Sequence, residues 1–286
     1  MKSELTIAII TKNRPAKLDR CLESICQQNL LPKSVLMIDN DPRRTSYPVF
    51  KKYSKKLPLH YFHEKKSGVP YCRNKALSKT ETRYLGFVDD DCVLDNKWTK
   101  SAIDAFQKNK DITYVCGKTN LYNNKNIFAI AQYSHDSYWY VKKVRKYKQT
   151  VAANFDTKNV VLDMKAIRNN SLKFDPKCGI GNFDSADFDF GLQLNHLKLR
   201  GIYSDKLQLA HEETSTFKRY VMRAYYRGKI AGYINIKWKL DDKFVKFPEK
   251  NIFIWVLPKD KPIFTNCNSR DWNGLMEKYG TLIRKK

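Results

Sequence analysis

Three consecutive carboxylates, Asp89, Asp90 and Asp91, directly follow the apolar run from Tyr84 to Val88. Adjacent carboxylates repel one another, and a cation among them relieves that cost. Mg2+ and Mn2+ take oxygen ligands and often share them with the phosphates of a substrate. At the end of a buried strand, such a triplet can hold a divalent metal against a nucleoside diphosphate. Taken alone, it could equally be a solvated acidic turn. Other polar residues follow apolar runs in the same way: Thr11, Asn13 and Arg14 after Leu5 to Ile10, and Asp39 and Asn40 after Val35 to Ile38. Their bland alternatives are helix caps and turn residues.

The elements that must carry these residues can be read from the apolar pattern. Leu5 to Ile10 is a buried strand, and Pro15 fits the first turn of a helix. Leu18, Cys21, Leu22 and Ile25 recur at helical spacing, which predicts an amphipathic helix to about Gln28. Val35 to Ile38 is a second strand, 47–56 a helix, Leu59 to Phe62 a third strand, Val69 to Leu77 a helix and Tyr84 to Val88 a fourth strand. This alternation predicts a parallel, doubly wound sheet, whose ligands bind beyond the carboxyl ends of the strands. The second half is less regular. It holds an aromatic stretch from Tyr133 to Tyr147, a strand near Val160, a helix after Asp187 and a basic aromatic segment beyond Thr216.

With 286 residues and 42% apolar composition, the chain has ample length for a core. No apolar run approaches the roughly 18 residues of a membrane span, and the start of the chain does not read as a signal peptide. Seven scattered cysteines without CxxC spacing suggest neither a disulfide framework nor a zinc site, and predict a reducing, cytoplasmic setting. Lys and Arg total 54 against 29 acids, a net charge of +25. That excess points to a polyanionic partner: nucleic acid, an anionic membrane surface or an anionic substrate. Between Lys218 and Lys250, ten basic residues face Asp241, Asp242 and Glu249, with tyrosine, tryptophan and phenylalanine interleaved.

In order along the chain stand IAIITKNRP (7–15), LESI (22–25), VLMIDN (35–40), Gly68 with Arg73-Asn74, and FVDDD (87–91) followed by Trp98. This ordered set resembles family 2 glycosyltransferases. The resemblance implies a GT-A fold: a Rossmann-like, mixed but mainly parallel sheet flanked by helices, with a basic aromatic C-terminal extension. It implies a glycosyltransferase domain over 1–232, with a nucleotide-sugar half over 1–118 and an acceptor half over 119–232. Residues 233–286 would be the extension packed on that domain. Thr11, Asn13, Arg14, Asp39, Arg73, Asp89 and Asp90 become donor-site candidates, and Asp91 and Asp89 ligands of Mn2+ or Mg2+. FDPKCGIG (174–181) and DFDFGLQ (187–193) resemble the family's later motifs, which makes Asp187 the expected base, with Asp184 and Asp189 as alternatives. Ala186 and Gln193 depart from that pattern, standing where Glu and Arg are usual. His211 corresponds to a histidine that some members place near the metal, or is a structural histidine. Arg223 and Arg227 sit one helical turn apart, where they could clamp a diphosphate, contact anionic lipid or form a solvated basic face.

The implied reaction is transfer of a sugar from a nucleoside-diphosphate donor, a UDP-sugar by preference, to a glycan or lipid-linked hydroxyl with inversion. Its expected product is a bacterial surface glycan, built at the cytoplasmic face of the membrane with peripheral docking through the basic segment. Two other readings compete. A basic nucleic-acid-binding protein would account for the charge but leaves the acidic triplet unexplained, and no RNP1, zinc-finger or basic-zipper pattern is present, so no nucleic-acid partner is expected. A nucleotidyltransferase would use similar metal ligands, but 10–18 lack its glycine-rich phosphate loop.

Overall fold

The computed structural model describes residues 3–134, 136–137, 155–180, 183–213 and 216–239. Its first half alternates β1 (Leu5–Thr11), α1 (Pro15–Cys26), β2 (Ser34–Asp39), α2 (Tyr47–Tyr53), β3 (Leu59–His63), α3 (Val69–Lys79) and β4 (Tyr84–Asp89). This is the order expected from the apolar runs. α2 stops at Tyr53, short of residue 56, because Leu57 must extend ahead of Pro58 to enter β3. There follow β5 (Cys92–Leu94), α4 (Trp98–Lys108), β6 (Tyr114–Leu121), β7 (Asn159–Asp163), α5 (Met164–Asn169) and a short hairpin of β8 (Gly179–Ile180) and β9 (Phe183–Asp184). α6 (Ala186–His196), β10 (Gly201–His211) and α7 (Phe217–Trp238) complete the described chain.

Eight strands form one sheet in the order β3-β2-β1-β4-β7-β6-β10-β5. β1, β2, β3 and β4 pair in parallel, whereas β7 runs antiparallel between β4 and β6. β1 and β2 are apolar on consecutive residues because both of their faces are covered. Ile7, Ile9, Val35 and Met37 pack with Leu18, Leu22 and Ile25 of α1, Tyr53 of α2 and Trp98 and Phe106 of α4. Ala8, Leu36 and Ile38 face the other way, into a core shared with Cys72 and Ala76 of α3, Phe190 and Leu194 of α6 and Ile230 and Ile234 of α7. The sheet therefore separates two cores, and α7 belongs to the second. α7 also runs unbroken across residue 232, where the sequence reading starts a C-terminal extension. The remainder of that extension, 240–286, lies outside the described residues, as does most of the Tyr133 to Tyr147 aromatic stretch.

One irregularity matters for the site. The pairing of β10 with β6 shifts register between Ser204 and Gln208. The displaced chain leans onto Gly117, where an added Cβ would collide with the Leu207 carbonyl oxygen. Asn159 ties the shift down by donating to the carbonyls of Lys118 and Leu207 while accepting from the Trp98 indole.

Candidate active site

Parallel pairing carries Thr11, Asp39 and Asp89 to one edge of the sheet, with Thr11 opposite Asp39 and Ile10 opposite Asp89. β10 delivers His211 to the same region, opposite Cys92, which directly follows the acidic triplet. Thus the polar residues after β1, β2 and β4 converge there with the end of a strand more than a hundred residues downstream.

Each member of the triplet has its own surroundings. Asp90 is buried, accepting from Thr11 Oγ1 at 2.8 Å and from Arg14 Nη1 at 3.0 Å. Burial first, and then Asp91, push its carboxyl up to about 7 against the pull of Arg14. Asp91 meets Arg14 Nη1 at 2.9 Å, Lys17 Nζ at 3.7 Å and His211 Nε2 at 3.1 Å. Burial opposes its ionisation, but these cations, His211 foremost, hold it well below the ordinary carboxylate range. Asp89 retains partial exposure, and burial followed by Asp91 raises its pKa.

His211 is held from both sides: Nε2 faces Asp91, and Nδ1 lies 2.9 Å from Glu213 Oε1. Burial disfavours the charged ring, yet the two carboxylates outweigh it and lift its pKa to about 10. Glu213 in turn meets Arg223 at 3.2 Å and Lys158 at 3.9 Å, and Lys158 meets Asp156 at 2.7 Å. Arg227 pairs with Asp136 at 3.2 Å. Arg223 and Arg227 of α7 are therefore both engaged in this network.

The residues present suit a hard divalent cation. Asp91 Oδ1 is buried without a well-formed hydrogen bond, although His211 Nε2 is close by. Asp91, Cys92 and His211 bring their ligand atoms within 4.8 Å of one another. Burial keeps the Cys92 thiol protonated, so carboxylate and imidazole are the usable pair. With Glu213 at Nδ1, a neutral His211 could present its Nε2 lone pair to a metal. That donor pair suits Mn2+ or Mg2+, the carboxylate being the hard ligand.

Beside the triplet's edge, at the end of β2, Asp39 is fully buried, accepting from the Asp41 amide and the Tyr61 hydroxyl, both at 2.9 Å. Asn40 donates to the carbonyls of Glu64 and Lys66 and accepts from the Gly68 amide, closing the loop that leads into α3. Gly68 has φ 132°, a conformation costly for any residue with a Cβ. Asn13 has φ 55° and accepts from Thr45 at 3.3 Å, in a turn suited to asparagine.

Arg73 is buried and pairs with Asp184 at 2.6 Å. Asp184 also accepts from the Ala186 amide at 2.7 Å, just ahead of α6. Asp187 sits on the first turn of that helix, where burial and then Asp184 push its carboxyl up to about 7 against the opposing charge of Arg73. Arg73 also lowers Asp89, so one cation acts on carboxylates from both halves. Asp189 is fully buried and bonded to Gln193, Lys237 and Trp238.

Several of these participants escaped the sequence reading. Glu213 could have been found, since residues 211 and 213 fall on the same side of an extended chain. Lys17 lies one helical turn beyond Arg14 and was equally accessible to that logic. Nothing local marks Lys158 or Asp156, which reach the site only because β7 reverses direction.

The pattern described as Glycosyl transferase family 2 matches residues 6–173, more than half of the chain. A hyaluronan synthase of Pasteurella multocida is 26% identical over 114 residues, which cover 39% of this chain and 12% of that protein. The crystal structure of S. aureus TarS superposes with a TM-score of 0.59 at 15% identity, covering 83% of this chain and 39% of TarS. Its 1–349 fragment in complex with UDP-GlcNAc gives 0.58 at 14% identity, covering 86% and 76%. The mannosyltransferase PcManGT of Pyrobaculum calidifontis, in complex with GDP-Man and Mn2+, gives 0.61 at 12% identity, covering 83% and 64%. The sheet and its flanking helices are those of the GT-A fold. The chain spans well under two thirds of both the synthase and the first TarS chain.

Proposed function

The chain belongs to glycosyl transferase family 2, and from that premise we propose that it moves a sugar from a UDP-sugar to a hydroxyl of a glycan or lipid-linked glycan, inverting the anomeric centre. The observation carrying this reading is a pair of carboxylates with contrasting surroundings: Asp91, which faces His211, Arg14 and Lys17, and Asp187 on the first turn of α6, where burial raises its carboxyl to about 7. The complexes of the structural neighbours with UDP-GlcNAc and with GDP-Man and Mn2+ support a nucleotide-sugar donor.

In this reading 1–118 binds the donor and 119–232 the acceptor. Thr11, Asn13, Asp39 and Asp89 line the nucleoside side. Arg14, 36% exposed and resting on Asp90 and Asp91, is placed to exchange those contacts for diphosphate oxygens. Asp91 and His211 would hold a Mn2+ or Mg2+ ion, with Asp89 alongside, and the bound ion would neutralise charge on the departing diphosphate. Asp187 takes the proton of the acceptor hydroxyl as its oxygen bonds to the anomeric carbon. The bond from that carbon to the diphosphate breaks, and its electron pair leaves with the nucleotide. Glu213 orients His211, and the Arg73–Asp184 pair anchors the turn carrying Asp187.

We place the activity at the cytoplasmic face of a bacterial membrane, in synthesis of a surface glycan. Supporting this, α7 exposes Phe217, Val221, Tyr225 and Ile236 beside Lys218, Arg219 and Lys229. No helix among the described residues is long and apolar enough to cross a membrane. Turnover over a panel of nucleotide sugars, with Mn2+ or with EDTA, tests the reading. UDP-sugar turnover that requires metal and is lost in Asp187→Asn is expected; full activity in EDTA, or of that variant, would overturn it.

A further inference from the structure

The last turn of α7 is built against the helix that carries Asp187. Lys237 Nζ stands 2.7 Å from Asp175 Oδ2 and 2.7 Å from Asp189 Oδ1. Trp238 Nε1 donates to Asp189 Oδ1 at 2.8 Å, and the Tyr233 hydroxyl donates to Asp175 Oδ2 at 3.0 Å. The second oxygen of Asp189 accepts from Gln193 at 2.9 Å. Asp175, Cys178 and Asp189 lie close enough to resemble a metal cluster, but the Lys237 ammonium bridges the two carboxylates. With no exposure and three donors, Asp189 is unable to meet an acceptor sugar. Its interactions instead join α6 to a helix end far downstream.

Burying a carboxylate is tolerable only while its partners stay in place. Two of the three partners of Asp189 come from α7. Asp189 and Asp187 share the first turn of α6, whose start is also fixed by Asp184. Asp184 is anchored by Arg73, so the turn is held from α3 and from α7. We propose that Lys237 and Trp238, supported by Tyr233, are positioning residues that brace this turn through Asp189 and so set where the Asp187 carboxylate meets the acceptor hydroxyl. The proposal rests on Asp187 being the base. Geometry of this kind is where small displacements are costly, because misplacing a catalytic group by about 1 Å can lower turnover roughly 10²-fold.

The full chain carrying Lys237→Met tests the brace through three readouts. Expected are a fall in kcat of about 10–100-fold, nucleotide-sugar affinity by calorimetry within about twofold of wild type, and faster amide exchange over 186–191 but not in α1 or α3. Lys237→Met combined with Asp189→Asn, which removes both charges, should turn over faster than Lys237→Met alone. Should Lys237→Met fail to fold, Trp238→Phe removes one hydrogen bond while keeping most of the buried volume, and the same pattern is expected at smaller size. Unchanged kcat in both variants, or a loss of donor affinity in step with kcat, would overturn the proposal. Absence of transfer by the wild type with every donor would instead sink the assignment of Asp187, while exchange over 186–191 would still decide whether the brace exists.

Discussion

Arg73 and Asp184, 111 positions apart in sequence, form a largely buried ion pair of 2.6 Å that joins α3 to the start of α6. Arg73→Gln would leave Asp184 buried without its cation, a change that typically costs about 3–5 kcal/mol. Urea denaturation should register that loss. The same variant removes the cation that opposes the rise of Asp187, so the acid limb of its pH–rate profile should move above the wild-type position.

To act as the proposed base, Asp187 must be ionised, and its carboxyl is pushed up to about 7 by burial and Asp184. Turnover should therefore rise with pH through about 7 and level off above it, and Asp187→Asn should lower turnover by about 10²–10⁴-fold. Linkage gives the opposite sign for stability. A carboxyl raised in the folded state favours folding below its unfolded pKa, and that contribution is lost as pH rises through about 7. Thermal scans should find Asp187→Asn more stable than wild type at pH 8 and equal to it below pH 4. A variant that is less stable at pH 8 would contradict the burial argument.

Glu213 contacts Nδ1 of His211 and leaves Nε2 directed at Asp91. Partners of this kind commonly change metal affinity by about 10–100-fold when removed. Glu213→Gln should weaken Mn2+ binding by that factor in a titration followed by electron paramagnetic resonance. Asp91→Asn should abolish detectable binding at the same concentrations.

Lys218, Arg219 and Lys229 are exposed along α7, near Phe217, Val221 and Tyr225. Each basic residue near an anionic surface contributes about 1 kcal/mol, so changing all three to Gln should weaken binding to phosphatidylglycerol vesicles by about 10²-fold. Sedimentation with vesicles at low and at ~0.5 M salt measures this, since exposed charges are screened within a few ångströms at the higher strength. Binding indifferent to salt and to the substitutions would make the basic face a solubilising surface.

The strand-end cluster of the first half was legible in sequence because its polar residues sit at the ends of consecutive strands. Thr11, Asp39 and Asp89 each follow an apolar run, and parallel pairing alone brings them to one edge. His211 was legible as a candidate through family likeness, but its place beside Asp91 depends on the β10 register shift, which carries no local signature. Arg73 illustrates the opposite limit. The motif marked it as a donor-site candidate, while its partner Asp184 stood among the candidate bases; only the packing of α3 against the later hairpin pairs them. Asp189 was a competing base in sequence because helix periodicity does not reveal that the end of α7 covers it.

The placement of β7 has a consequence for synthesis on the ribosome. β4 finds its second neighbour only in residues 159–163, and the outer edge of β6 finds its own in residues 201–211. A nascent chain that has just released Asp91 therefore carries its acidic motif on a strand with one bare edge, flanked by Leu85 and Phe87. Such edges invite pairing with other chains. Until some seventy further residues emerge, the interval is one in which a chaperone, or simply a low concentration of neighbours, protects the half-made enzyme from aggregation.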